Sequence, residues 1–339
     1  MVTLKEIATS VGVSTATVSR VLNFDSSLSI TEGKRRAIIE TAEALNYETP
    51  RARNRRGQPG VSKIALLHFL KPEQELTDPY YVALRLGIER RCQALKIEAV
   101  KVYHTDDRPD PTLIQSTQGT IVIGRHNEDE IHFIRQHSAA VVFADYAPAG
   151  DQYDCVVCDL PQAMEKLLNA LDAAEYRRIG FIGWTESPDG DPLTDNEKRL
   201  RTFRHWMRDN GSFDPALLLV GGNTEQDGYR LTRAMLENPL RPDAIVTCND
   251  NMAVGAYRAI AECGLAIPGD IAVASFNDIS AAQFLHPPLS TVHLPAEEIG
   301  ETAVDLMVER ITGRELAKRV TLGSTLRLRR STRHLIAVK

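Results

Sequence analysis

The sequence predicts an N-terminal all-α head of helix-turn-helix form, followed by an α/β body of two lobes, each a doubly wound parallel sheet. Two observations carry that prediction. Residues Leu4 to Asn23, LKEIATSVGVSTATVSRVLN, hold apolar residues at helical spacing interrupted by one glycine. From Lys63 onward, short apolar runs alternate with amphipathic stretches, the pattern of parallel strands covered by helices. The 339-residue length admits two or three domains of about 100–200 residues each. The alternating part is about 270 residues long, more than one comfortable core holds.

In the head, a tight turn at Gly12 separates two short helices, the second opening at Ser14. Ile7, Ala8, Val13, Val18 and Val21 fill one shared core, and the small Ala8 and Gly12 let the helices cross closely. Thr15, Ala16, Thr17, Ser19 and Arg20 remain on the outer face. This is the geometry in which a second helix enters the DNA major groove by its N-terminal end. A third helix is expected from Thr31, an N-cap type, to Leu45, with Ile38, Ala42 and Leu45 at helical spacing. The head then spans 1–49. Residues 50–60, PRARNRRGQPG, form a basic linker in which four of the six residues from Arg51 to Arg56 are arginine. Pro59 and Gly60 break structure before the body, 61–339.

Strands are expected at Lys63 to Leu70, TIVIG from Thr120, AVVFAD from Ala140, RRIGFIGW from Arg177, PALLLVGG from Pro215, DAIVTCND from Asp243 and DIAVASFND from Asp270. Helices are expected at Tyr80 to Lys96, Leu160 to Ala173, Asn196 to Asp209, Gly228 to Glu237 and Asn251 to Gly264. Several runs end in polar residues: Asp145, Asn249–Asp250 and Asn277–Asp278. Ligands of open α/β sheets bind beyond the carboxyl ends of the strands. Carboxylates and amides there suit paired hydroxyls, although the same residues also serve as helix N-caps.

The formal net charge of −5 is unevenly spread. Residues 1–60 carry nine Lys/Arg against six Asp/Glu, whereas the rest carry 31 against 39. A basic head on an acidic body suits a module that touches phosphates. Five cysteines make no disulfide framework. Cys155 and Cys158 form a CxxC inside the strand-like YDCVVCDL, where residues three apart point to opposite faces. They read as packed thiols rather than a metal site. No signal peptide or membrane span is expected, which places the chain in the cytoplasm. GxGxxG, GxxxxGK[ST], GxSxG and HExxH are all absent and the nine histidines are scattered, so no cofactor, metal or enzymatic activity is expected.

TLKEIATSVGVSTATVSRVLN, CNDNMAVGAYRAI (Cys248 to Ile260) and NDISAAQFLHPPLSTV (Asn277 to Val292) resemble the lactose/galactose repressor (LacI/GalR) family over the whole chain. TDPYYVALRLGIE and FNDIS…PPLSTV look nearest to its evolved β-galactosidase operon branch. The resemblance implies a periplasmic-binding-protein-like body, a homodimer, a pseudo-palindromic operator DNA and a sugar effector held between the lobes. A β-galactoside is the expected effector. It places Thr15, Ala16 and Arg20 against base edges, and Thr3, Ser14, Thr17, Ser19 and Asn23 against phosphates. Arg20 matches guanine O6 and N7 bidentately. In the family, a leucine of the hinge wedges into the minor groove. Here Arg53, Asn54, Arg55 and Arg56 occupy that stretch, so Arg53, Arg55 and Arg56 are expected in a narrow minor groove with little kinking.

For the effector, the resemblance implies Tyr80, Tyr81, Asp145, Arg199, Asn249 and Asn277. Arg199 is identified by RLRTF, with Phe203 four residues on. Asn277 replaces the usual aspartate, and Asn223 stands where relatives often place a stacking ring. Trp184, ending its strand, is the substitute stacking face. No leucine heptad follows Leu326, which favours a dimer over a tetramer. Three other readings stay open: a sugar-binding protein without DNA activity, an enzyme on a doubly wound fold, and an activator or a regulator answering to a nucleobase or other metabolite.

Overall fold

The computed structural model describes residues 3–22, 28, 30–45, 47, 60–103, 109–186 and 191–333. The chain divides into two compact units, Met1–Ser62 and Lys63–Lys339.

The first unit contains α1 (Leu4–Val11), α2 (Thr15–Leu22) and α3 (Glu32–Ala44). A capping box opens α1. The Thr3 amide donates to Glu6 Oε2 at 2.8 Å, and the Glu6 amide donates back to Thr3 Oγ1 at 3.4 Å. Gly12 ends the helix at φ +68°, a left-handed conformation that a Cβ disfavours. Ser14 Oγ accepts the Thr17 amide at 3.0 Å and so caps α2. Ile7, Ala8, Val18, Val21, Ile38 and Ala42 form the core, with Val13 packed at its margin. Leu45, expected to join them, is 40% exposed. α3 stops at Ala44, so helical spacing no longer sets where Leu45 points; Leu28, Ile30 and Tyr47 pack there instead.

The second unit begins with β1 (Lys63–His68), α4 (Pro72–Leu76), α5 (Pro79–Leu95), β2 (Glu98–Tyr103), α6 (Pro111–Gln115), β3 (Thr120–Ile123), α7 (Glu128–His137), β4 (Val141–Ala144) and β5 (Asp154–Cys158). A second lobe follows: α8 (Leu160–Ala173), β6 (Ile179–Trp184), α9 (Lys198–Asp209), β7 (Leu218–Gly221), α10 (Glu225–Leu236), β8 (Ala244–Thr247), α11 (Asp250–Glu262), β9 (Ala272–Asn277) and β10 (Ser290–His293). The chain returns to the first lobe for α12 (Ala296–Ile311) and β11 (Arg319–Leu322), then crosses again for β12 (Thr325–Arg327).

The two six-stranded sheets run β2-β1-β3-β4-β5-β11 and β7-β6-β8-β9-β10-β12. Apart from the antiparallel β10–β12 pair, the strand pairings are parallel. Each lobe thus repeats the 2-1-3-4-5 order, whose switch point lies between its first and third strands. Cys155 and Cys158 lie in β5, buried and unbridged. Among the described residues, no helix is long and apolar enough to cross a membrane.

Two features lock this arrangement. α10 and α11 meet through facing glycines: a Cβ on Gly255 would lie 1.9 Å from the Glu225 carbonyl oxygen, and one on Gly228 would lie 2.1 Å from that of Met252. Gly87 and Gly300 join α5 and α12 in the same way. Asp154, fully buried, accepts Arg310 Nε, Arg314 Nη1 and the Lys318 amide, each at 2.7 Å. That carboxylate ties α12 and the start of β11 to β5. Gly255→Ala is expected to lower unfolding stability by about 2 kcal/mol, since the clash is with backbone that cannot rotate away. Asp154→Ala is expected to cost about 3 kcal/mol by taking from Arg310 its carboxylate partner and from Arg314 one of two, Glu309 remaining. Urea unfolding of both variants measures each loss.

Candidate functional site

On α2, Thr15, Ala16 and Arg20 are exposed and Thr17 and Ser19 half-buried, forming a polar ridge opposite Val18 and Val21. Ser14 Oγ and Thr17 Oγ1 lie 2.8 Å apart, so these hydroxyls are held by each other. Thr3 Oγ1 is spent as an acceptor for α1, leaving its proton to donate outward. Asn23, Arg53, Asn54, Arg55 and Arg56 lie outside the described residues.

In the second unit, a cleft of about 330 Å³ lies between the lobes, where the strands of both sheets end. Tyr80 and Tyr81 occupy the first turn of α5, which Asp78 caps by accepting the Tyr80 amide at 3.1 Å. Their hydroxyls donate to the two oxygens of Asp145 at 2.9 and 3.0 Å. Asp145 sits just beyond β4 at φ +63°. Burial raises its carboxyl above the usual range, against the two tyrosine hydrogen bonds. Burial and the Asp145 charge hold both tyrosines well above the ordinary phenol range, as protonated donors.

The opposite wall belongs to α9. Glu197 caps it, accepting the Leu200 amide with Oε2 at 2.8 Å and Arg199 Nε with Oε1 at 2.9 Å. Arg199 Nη1 donates to the Cys248 carbonyl at 2.6 Å. Burial disfavours the guanidinium's charge most strongly of any one cause, but Glu197 first, then Cys248 and Asp145, together outweigh burial and the net shift is upward. Arg199 is therefore a held cation, 11% exposed in its side chain, rather than a surface arginine.

The polar strand ends divide their labour. Asn249 Oδ1 accepts the Met252 amide at 2.8 Å and Nδ2 donates to the Asn223 carbonyl at 2.9 Å. Helix capping thus commits much of this side chain, although it still lines the cleft. Asp250 is fully buried and accepts the Ile279 amide and the Thr291 hydroxyl. Burial pushes its carboxyl up to about 7. Asp278 pairs with Arg329 at 2.6 Å. The first residue of each pair, Asn249 and Asn277, meets the cavity, and the second holds the loop. Asn277, at φ +109°, lines the cleft, and half-buried Trp184 shares the same lining.

The cleft thus collects all seven expected residues: Tyr80, Tyr81, Asp145, Trp184, Arg199, Asn249 and Asn277. It also contains Asp78, Arg125, Glu186, Glu197 and Lys198, which no sequence pattern singled out. Acceptors and donors alternate around aromatic rings, a lining that can satisfy a polyhydroxylated ligand while stacking its apolar faces.

Residues 3–50 match the lacI family of bacterial regulatory proteins, and residues 168–332 match the periplasmic binding protein-like domain. The HTH-type transcriptional repressor MelR of Bacillus subtilis is 36% identical over 98% of this chain and 97% of its own length. The lactose operon repressor of Rhizobium radiobacter is 57% identical over 32% of this chain and 96% of its own length. A crystal structure of the lac repressor dimer bound to operator and the anti-inducer ONPF aligns with a TM-score of 0.67 at 21% identity, covering 98% of this chain and 99% of that one. It shares the fold. With a helix-turn-helix head, a two-lobed body and full-length relatives that are transcriptional regulators rather than enzymes, the chain belongs to the lacI family of bacterial regulatory proteins.

Proposed function

We propose that this protein represses a sugar-utilisation operon and that a sugar of the galactoside class, a β-galactoside first, sets its operator affinity from the cleft. The observation that carries this reading is the pairing of Asp145 with Tyr80 and Tyr81 on one lobe, facing Arg199 on the other. The names of two relatives, a MelR repressor and a lactose operon repressor, support it. In the proposed complex, the carboxylate and phenol oxygens accept sugar hydroxyls, and Arg199 Nη2 donates to an adjacent pair.

Because the contacts come from both lobes, the sugar favours one relative lobe orientation. Coupling of about 1–3 kcal/mol changes DNA affinity about 5- to 150-fold. The head, 1–49, reads DNA through Thr15, Ala16 and Arg20, while Thr3, Ser14, Thr17, Ser19 and Asn23 hold phosphates. Arg53, Arg55 and Arg56 of the linker, 50–60, enter the minor groove. The body, 61–339, binds effector and pairs two chains, so the operator is a pseudo-palindrome. The lac repressor, which shares the fold, is bound to operator as a dimer in its crystal structure.

Arg20→Ala is expected to reduce preference for operator over random duplex by about 5- to 150-fold, the value of one bidentate base contact. Its circular dichroism stays unchanged. Gel shifts with both DNAs at fixed salt measure it, and undiminished preference removes Arg20 from base readout. Asp145→Asn turns one oxygen into an amide nitrogen, so one tyrosine hydroxyl loses its acceptor. Sugar affinity is expected to drop at least roughly tenfold by calorimetry. If wild-type protein binds no sugar, or sugar leaves operator binding unchanged across galactosides and nucleobases, the effector reading fails. Sugar that strengthens operator binding reverses its sign.

A further inference from the structure

We propose that Arg125 and Glu186 form an outer subsite that reads the second ring of a disaccharide; this rests on the sugar reading above. Arg125 follows β3 in the first lobe and Glu186 follows β6 in the second. Their side chains meet across the cleft, Nη1 to Oε2, at 3.2 Å. Among the described residues, neither side chain has another hydrogen bond or ion pair, and both act electrostatically on Tyr146. They are 42% and 34% exposed, against 11% and 4% for Arg199 and Glu197. The cavity therefore has a drier end at Tyr80 and Arg199 and a wetter end at this pair. Both ends share one lining, with Trp184 and Tyr146 among it.

The outer pair is built into the same framework as the inner one. Asp195, 7% exposed, accepts the Glu186 amide at 2.9 Å and the Glu197 amide at 2.8 Å through the same oxygen. One buried carboxylate thus sets the spacing between Glu186 and the Glu197–Arg199 pair. On the other lobe, Gly124 places Arg125, and a Cβ on Gly124 would meet the Phe69 ring at 2.2 Å.

Separating an exposed ion pair costs little, about 0–1 kcal/mol. Each partner then offers what a sugar ring needs: the carboxylate accepts from hydroxyls, and the guanidinium donates two hydrogen bonds from one plane. The Trp184 ring supplies a flat apolar face for the ring they hold. A monosaccharide seated against Asp145 and Arg199 leaves this end to water, whereas a disaccharide reaches it. The outer pair therefore selects by ligand length and by the hydroxyl pattern of the second ring.

Calorimetry on the full-length protein with galactose, lactose and melibiose tests this in wild type, Glu186→Gln and Arg125→Ala. Both variants are expected to keep galactose affinity within about twofold and to lose roughly tenfold on the preferred disaccharide, one charged hydrogen bond's worth. Disaccharide affinity unchanged in both variants overturns the subsite. Equal loss for galactose and disaccharide also overturns it, because the pair then shapes the cleft rather than reading the second ring. Asp145→Asn, run alongside, is expected to weaken all three sugars. Wild-type protein that binds none of the three overturns the sugar reading itself, and the subsite with it.

Discussion

Everything at the cleft depends on one constraint: a parallel sheet delivers all its strand ends to the same edge. Two such sheets in the 2-1-3-4-5 order, edge to edge, put the residues after β1, β3, β4, β6, β8 and β9 around one cavity. Asp145 and Arg199 are more than fifty positions apart and on different lobes, yet topology alone makes them neighbours of the same space. The chain crosses between lobes after β5, after β10 and between β11 and β12. These links are short, two residues or fewer between the flanking elements. In the proposed mechanism, a ligand touching both walls acts on the angle between the lobes.

Three aspartates, Asp154 and Asp250 fully buried and Asp145 half-buried, show how partners decide role. Asp154 faces two guanidiniums and an amide and serves as a fixed charge that clamps α12 to the sheet. Asp250 has hydroxyl and amide donors but no cation against it, so burial dominates and its proton is held up to about 7. Asp145 has two phenols on the cavity side, which keep it aimed without neutralising it. Only the last combines a held geometry with open lone pairs, the requirement for reading a ligand rather than supporting a loop.

The head, the central strands of both lobes and the polar strand ends were legible because each leaves a local mark: a helical stripe broken by Gly12, apolar runs of four to six residues, a polar residue where the run stops. What stayed hidden lacks such marks. EAVKVY forms edge strand β2, with one buried residue and no regular alternation, and RVTL and TLR are strands only because β5 and β10 lie beside them. PALLLVGG looked like one strand, but its first three residues form a 3-10 turn and only Leu218–Gly221 pairs. Glu197 and Asp195 matter through partners created by folding, a helix end and a distant loop. No spacing rule foretells them.

The contacts that already span the lobes bear on how such a device switches. Arg125–Glu186 at 3.2 Å and the Asn251 amide donating to the Thr77 carbonyl at 3.2 Å both lie in exposed surroundings. Exposed pairs of this kind contribute about 0–1 kcal/mol each, too little to fix the angle between lobes. In the proposed complex, contacts to Asp145 and Arg199 each contribute more, because both side chains are half-buried and already held in place by partners. On the proposed reading, the rim contacts hold the lobes weakly and the occupant of the interior commits their angle. On that same reading, the ordering of energies leaves the angle between the lobes to a small molecule in the cleft rather than to the protein's own surface charges.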